Sequence, residues 1–404
     1  MAAEPGGPAQ EPAGNLRELA TVFLKLGTIA FGGPAAHTAM MEGEVVERRR
    51  WLDRGTFLDF VGATNLIPGP NSTELALHIG YLRAGWRGLL TAGVCFILPA
   101  ALIAVGLAEL YRRFGSVPDA AAVLESIKPI VVAVVAHAVW RLGRTAVKDV
   151  AAAVLGLASL VAILLGVHEL AVLAAAALVM VACRRIVAGP TMPVVSSLVV
   201  LRSEPASAEP VKAMAAAGVI ATATGAIGFS LTTLFLTFAK IGAVLFGSGY
   251  VLFAFLRADF VERLGWISES QLLDIVAIGQ VIPGPLFTVA TFIGYWLAGP
   301  IGALVGTAGI FLPAFVFVAL SGPLIPRLRR SATVGAALDG LNLASLALMA
   351  AVTGLMARTA LHDPFAIFLG LAAFILLWRF RLGVAWLVLV GAVVGLIRVG
   401  LLRW

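Results

Sequence analysis

The sequence predicts an all-α polytopic membrane protein built from two homologous halves, arranged as inverted-topology repeats. Three observations carry that expectation. Hydrophobic residues make up 60% of the 404-residue chain and charged residues 13%, with a mean hydropathy of +0.99. A soluble domain carries about 25% charged residues, so the solvent for most of this chain is lipid. Second, the tripeptide Pro-Gly-Pro occurs at Pro68-Gly69-Pro70 and again at Pro283-Gly284-Pro285, each time inside an apolar stretch. Third, the surroundings repeat. Lys25, Gly27, Phe31, Gly32, Glu47, Trp51 and Asp59 recur 215 residues on as Lys240, Gly242, Phe246, Gly247, Glu262, Trp266 and Asp274. After one deletion the offset is 214, which carries Ile79-Gly80-Tyr81, Gly85, Gly88, Pro99, Arg144 and Asp149 onto Ile293-Gly294-Tyr295, Gly299, Gly302, Pro313, Arg358 and Asp363. A register held across one gap marks a tandem duplication.

Residues 1–16 lack a basic stretch followed by an apolar core and read as a disordered tail, not a cleavable signal. The first repeat, 17–186, holds apolar segments near 17–40, 57–82, 86–110, 120–141, 149–167 and 169–183. The second, 231–404, holds counterparts near 232–255, 272–296, 300–324, 334–356, 363–378 and 383–400. About twenty residues span the hydrocarbon as a helix, so the last two segments of each half are marginal spans. Between the repeats, 187–230 is a linker: Pro190, Pro193, Pro205 and Pro210 mark an extended stretch. Its small, apolar end at 213–230 fits either one extra crossing or an extension of the next helix.

Segments 57–82 and 272–296 cannot be plain helices. Proline removes a donor, clashes with the preceding turn and pushes the residue before it out of helical geometry. Each Pro-Gly-Pro therefore separates two half-helices, and the expectation is a re-entrant hairpin with the tripeptide at its tip. The first segment of each half is broken too, at Phe31-Gly32-Gly33-Pro34 and Phe246-Gly247-Ser248-Gly249. Matching breaks in two halves point to a substrate pathway at the repeat interface.

With re-entrant hairpins, thirteen basic residues of the first half, from Arg48 to Lys212, fall on one side, against Arg17, Arg112 and Arg113 on the other. That bias makes the first side cytoplasmic. Five crossings per half then invert the second repeat. The net charge of +7 reflects these clusters. With no basic stripe carrying interleaved aromatics, a nucleic-acid partner is not expected. Cys95 and Cys183 stand alone in apolar runs, with neither a disulfide framework nor metal-ligand spacing.

The breaks at Phe31-Gly32-Gly33-Pro34 and Phe246-Gly247-Ser248-Gly249, the segments Glu44/Glu47-Trp51 and Asp259/Glu262-Trp266, and the two Pro-Gly-Pro turns each followed by Ile-Gly-Tyr resemble the chromate ion transporter family in its long, two-repeat form. The resemblance covers nearly the whole chain outside tail and linker. It implies efflux of chromate across a bacterial inner membrane, with sulfate as a related substrate. The expected partners are a tetrahedral oxyanion, the bilayer and a second copy of the chain; no cofactor and no metal are expected.

Residue chemistry supports an oxyanion independently. A helix N-terminus presents free N–H groups and partial positive charge. After the first turn come Asn71, Ser72 and Thr73, where the second half has Leu286, Phe287 and Thr288. These first-half side chains either donate to an anion or simply cap the helix. Lys25 and Lys240 sit inside the first segments; they either offset the dianion's charge or snorkel to a headgroup. Gly32, Gly33, Gly247, Ser248 and Gly249 allow close backbone approach or mere helix packing. Glu74 and His78 share a helix face and read as a proton-coupling pair or as a polar face near the membrane surface. Glu47, Trp51, Glu262 and Trp266 suggest a gate, the carboxylates pairing with arginines such as Arg48–Arg50, although interfacial tryptophan is the ordinary reading. An enzyme is not expected: Ser248 lacks a histidine base, His362 lying at a loop, and Gly33 replaces it in the first half. An anion channel would share the hairpins and differ by unitary conductance.

Overall fold

The computed structural model describes residues 15–30, 34–115, 117–187, 228–247, 249–321, 331–380 and 382–402. The tail and most of the linker, with its apolar stretch, lie outside the described residues, as do Gly32, Gly33 and Ser248. Among the described residues the chain is helical, with no strand.

The first half runs α1 (Leu16–Ile29), α2 (Pro34–Glu42) continued by a π turn (Gly43–Arg48), α3 (Arg54–Thr64), α4 (Asn71–Phe114), α5 (Pro118–Ala146), α6 (Val150–Leu164) and α7 (Glu169–Val187). The second half repeats the order. It runs α8 (Leu231–Val244), α9 (Val251–Leu256) with its π turn (Arg257–Arg263), and α10 (Glu269–Gly279). A 3₁₀ turn (Leu286–Thr288) leads into α11 (Val289–Ser321), followed by α12 (Ala332–Ala360), α13 (Pro364–Phe380) and α14 (Val384–Leu402). Among the described residues four stretches are long and apolar enough to cross a membrane: 71–114, 122–146, 286–321 and 332–360. The chain is a multi-pass membrane protein. The segments expected at 17–40 and 57–82 each resolve into two helices around a break, as do their second-half counterparts.

Helices α4 and α11 are themselves folded back. Ala84-Gly85 and Ala298-Gly299 leave helical geometry, with the glycines at φ 56° and 61°. The arms then close on glycine: a Cβ at Gly80 would lie 2.4 Å from the Gly88 carbonyl oxygen, and one at Gly294 2.1 Å from that of Gly302. The arm 71–83 is about 20 Å long at 1.5 Å per residue, short of the roughly 30 Å hydrocarbon core.

The halves are interwoven. Helices α6 and α7 pack on α12 of the second half, while α13 and α14 pack on α5 of the first. Helices α4 and α11 meet across the centre, with α1 against α4 and α8 against α11. The largest core joins Ala104 and Val131 of the first half to Phe238, Phe255 and Leu348 of the second. This exchange is not readable from apolar periodicity, which reports only that a face is buried.

Candidate functional site

The two Pro-Gly-Pro turns close on each other's half. The Gly69 N–H donates to the Leu245 carbonyl at 2.8 Å, and the Gly284 N–H donates to the Ala30 carbonyl at 2.8 Å. Ala30 and Leu245 are equivalent residues at the ends of α1 and α8, where the backbone turns extended. With proline on either side, the glycine amide is the tripeptide's only backbone donor, and it satisfies a carbonyl that the broken helix leaves free. Both glycines take positive φ, 137° and 89°. Side chains are also excluded by space: a Cβ at Gly284 would sit 2.9 Å from the Gly27 carbonyl oxygen, and one at Gly69 2.5 Å from Glu74 Oε1.

Beyond the first turn, α4 starts with the Thr73 and Glu74 amides donating to the Pro70 carbonyl at 2.8 and 3.0 Å. Asn71 reaches sideways, its Nδ2 donating to Asn65 Oδ1 at 3.0 Å. Ser72 and Thr73 are buried. Glu74 is fully buried with neither carboxyl oxygen hydrogen-bonded among the described residues, and His78 is buried with its ring stacked on Phe60 at 5.3 Å. Both side chains therefore face protein and not solvent. Beyond the second turn, Thr288 is buried and its hydroxyl donates to the Pro285 carbonyl at 2.8 Å.

The geometry differs most between the halves where these elements face the interior. A cavity of about 360 Å³ lies between the end of α3, the start of α4, the break after α8, and helices α5 and α12. It is lined by Asn65 and Asn71, by Gly247 and Tyr250, and by Arg141, Lys148, Asp339, Asn342 and Ser345. Its size falls in the about 300–1,000 Å³ range of ligand sites. The counterpart positions Gly279, Gln280, Ile282 and Leu286 line a cavity of about 30 Å³, room for no more than a water or two. Asn342 corresponds at offset 214 to Lys128, which is buried and held by Glu125, by Ser270 Oγ at 2.6 Å and by Asp274 at 3.4 Å. Tyr111 adds a hydrogen bond to Asp274 Oδ2 at 2.8 Å.

Lys25 pairs with Glu44, and Lys240 pairs with the equivalent Asp259 at 2.6 Å. Arginines complete both clusters, Arg49 on Glu44 and Arg263 on Asp259 at 2.9 Å. Burial alone would raise the Glu44 carboxyl, but hydrogen bonds and charge from Lys25 and Arg49 outweigh it and hold the group below the usual carboxylate range. So the acidic partner in each π turn is residue 44 or 259. Glu262 instead pairs with Arg257. Trp51 is buried in a core cluster, with Arg49 and Arg83 over its ring at 5.7 and 5.2 Å. Trp266 packs on Phe229 and Phe260. At the second break Gly247 takes φ 92°, and the Gly249 carbonyl accepts from the Leu252 amide at 3.2 Å.

Arg141, Asn342 and Ser345 were not among the sequence candidates. The signal that could have found them is departure from the repeat: at offset 214 they face Leu355, Lys128 and Val131. A search for matched residues passes over such positions.

A sequence model described as chromate transporter matches residues 17–181 and again 232–396. The chain is 29% identical over 394 residues to a chromate transport protein of Cupriavidus metallidurans, covering 97% of this chain and 95% of that one. It is 31% identical over 400 residues to a chromate transport protein of Pseudomonas aeruginosa, covering 96% and 93%. Similarity to an uncharacterized transporter of Methanocaldococcus jannaschii is 26% over 358 residues, 88% of each chain. No solved structure matches. With two tandem matches to one family model and relatives aligned end to end, the chain belongs to the chromate transporter family, in its two-repeat form.

Proposed function

We propose that the protein is a secondary transporter that exports chromate across the bacterial inner membrane, with the dianion passing where the Pro-Gly-Pro turns meet the broken first helices. The observation that carries this reading is the reciprocal pair of bonds, Gly69 to Leu245 and Gly284 to Ala30. They tie each turn to the other half, so movement of one repeat against the other acts directly on the pathway. The roughly 20 Å arm after Pro70 suits a hairpin that enters and leaves by one face. In the orientation set by the basic residues, Arg141 and Lys148 lie towards the cytoplasm, and the larger cavity is the loading side. Energetics favour this direction: a dianion leaving a cell with a negative interior gains about 4.6 kcal/mol per 100 mV. Glu74 and His78, buried beneath the first turn, are the candidate coupling groups.

Inverted vesicles test the function. Chromate uptake should saturate, accelerate when the vesicle interior is made positive, and be inhibited by sulfate in proportion to its affinity. Absence of chromate uptake would overturn the reading, and flux rising linearly without saturation would favour a channel.

Lys25 and Lys240, held by Glu44 and Asp259, are the charges released towards the dianion as the halves move. Lys25→Met and Lys240→Met should each lower chromate flux at least tenfold at unchanged protein level, by the loss of roughly 1.5–3 kcal/mol from a charged hydrogen bond. Normal flux in both variants would leave the pairs a purely structural role.

A further inference from the structure

We propose that the cavity between α3, α5 and α12 is a binding site for one tetrahedral dianion, with Arg141 as its cationic anchor and Asn342 and Ser345 as neutral donors. The proposal rests on reading the chain as an oxyanion transporter and names the residues that hold the anion.

Charge comes first. Arg141, Lys148 and Asp339 are the charged groups lining the cavity. Asp339 is already matched by Lys148 at 3.3 Å and by Arg184 at 3.4 Å. Arg141 lines the cavity beside Tyr250, acts on Tyr250 and His137 only through its charge, and makes no hydrogen bond or ion pair with another described residue. A guanidinium presents a planar fork of donors suited to two oxygens of one anion. Arg141 is itself exposed, so its attraction for an anion rests on this fork geometry and on the neutral donors beside it, not on burial.

The neutral groups provide a second, independent observation. Ser345 is 1% exposed and its Oγ has no hydrogen-bond partner among the described residues. A buried hydroxyl without a partner costs about 1–3 kcal/mol, and an anion oxygen would satisfy it. Asn342 stands one helical turn before it, with its Oδ1 3.2 Å from where a Cβ at Gly247 would lie. Asn342 therefore links the site to the broken end of α8. Asn65 and Asn71 bring a further amide pair to the wall at the start of α4.

The duplication supplies a built-in comparison. In the counterpart region Leu355, Lys128 and Val131 replace Arg141, Asn342 and Ser345, and Lys128 is already neutralised by Asp274 and Glu125. The cavity at Gly279, Gln280, Ile282 and Leu286, the counterparts of Thr64, Asn65, Ile67 and Asn71, is about 30 Å³. One half holds a cation without an anion, whereas the other carries its own carboxylates. A single dianion per chain follows.

Equilibrium binding of labelled chromate and labelled sulfate to the purified full-length protein in detergent tests the site. Wild type should bind a single dianion per chain. Arg141→Gln should weaken binding roughly tenfold to a hundredfold, the range of a lost charged hydrogen bond, without changing thermal unfolding in the absence of anion. Arg141→Lys should lie between them, and Ser345→Ala should show a smaller loss. Should Arg141→Gln fail to fold, Asn342→Asp sets a carboxylate beside the anion and should abolish binding. Wild-type affinity in Arg141→Gln or Asn342→Asp, two equal sites per chain, or binding of neither anion would overturn the proposal. Arg141-dependent binding of sulfate without chromate would support the site and overturn chromate as cargo. Undiminished chromate flux through Arg141→Gln vesicles would overturn the site and leave export standing.

Discussion

Alanine at Gly69 or Gly284 should abolish chromate flux, whereas alanine at Gly85 should only reduce it. All three glycines have positive φ, 137°, 89° and 56°, so each substitution carries a conformational cost of about 1–2 kcal/mol. What separates them is space. A Cβ at Gly284 would be 2.9 Å from both the Gly27 carbonyl oxygen and Ala100 Cβ, and one at Gly69 2.5 Å from Glu74 Oε1, whereas nothing lies within 4 Å of one at Gly85. Relief of those contacts requires the turn to withdraw, which stretches the bond to Ala30 or Leu245 and strands a buried carbonyl, a further loss of about 1–3 kcal/mol. Flux in vesicles, normalised to folded protein, is the measurement. Wild-type flux in both turn variants would mean that the reciprocal bonds are not part of the pathway.

Removing Lys128 should destabilise the protein more than removing either lysine of the first helices. Lys128 is 3% exposed and Asp274 7%, while Lys25 and Lys240 keep 43% and 28% of their side chains open. Lys128→Met leaves Asp274 buried with Tyr111 as its remaining hydrogen-bond partner, the case in which breaking a buried pair costs about 3–5 kcal/mol. Replacing both partners with apolar groups of similar volume removes the stranded charge, so Lys128→Met with Asp274→Leu should recover much of the loss. Thermal unfolding in detergent of the two single variants and the double variant decides it. A double variant that loses the sum of both single losses would show that the residues act separately.

Sequence carried the duplication, the helix breaks and the segment order because all three are local. Proline and glycine interrupt helices wherever they stand, and a repeated register needs no tertiary knowledge. The partners of the breaks were not legible. Nothing in Pro68-Gly69-Pro70 says that its amide will seek Leu245, since that depends on how the halves interlock. The carboxylates expected to form a gate illustrate a finer limit. Glu44 and Glu47 lie in one short segment, and a π turn bonded five residues apart, Arg49 N–H to the Glu44 carbonyl at 3.2 Å, shifts the facing residues away from ordinary helical spacing. Arg141 was visible only as one cytoplasmic charge among thirteen. Its place on a cavity wall beside Asn342 and Ser345 is a tertiary fact.

The exchange of helices has a consequence for how the protein is made. When the ribosome has finished α7, the surfaces of α6 and α7 that will meet α12 still face lipid, because α12 lies 145 residues further on (332 against 187). In lipid these apolar faces carry no penalty comparable to exposure in water, so the unfinished half can wait. The later helices close on the first half: α13 and α14 pack on α5, and α12 packs on α6 and α7. Because the described halves meet through packed helices, a chain cut between Val187 and Gly228 and expressed as two pieces in one membrane retains the contacts between described residues that join the halves. Either piece alone retains none.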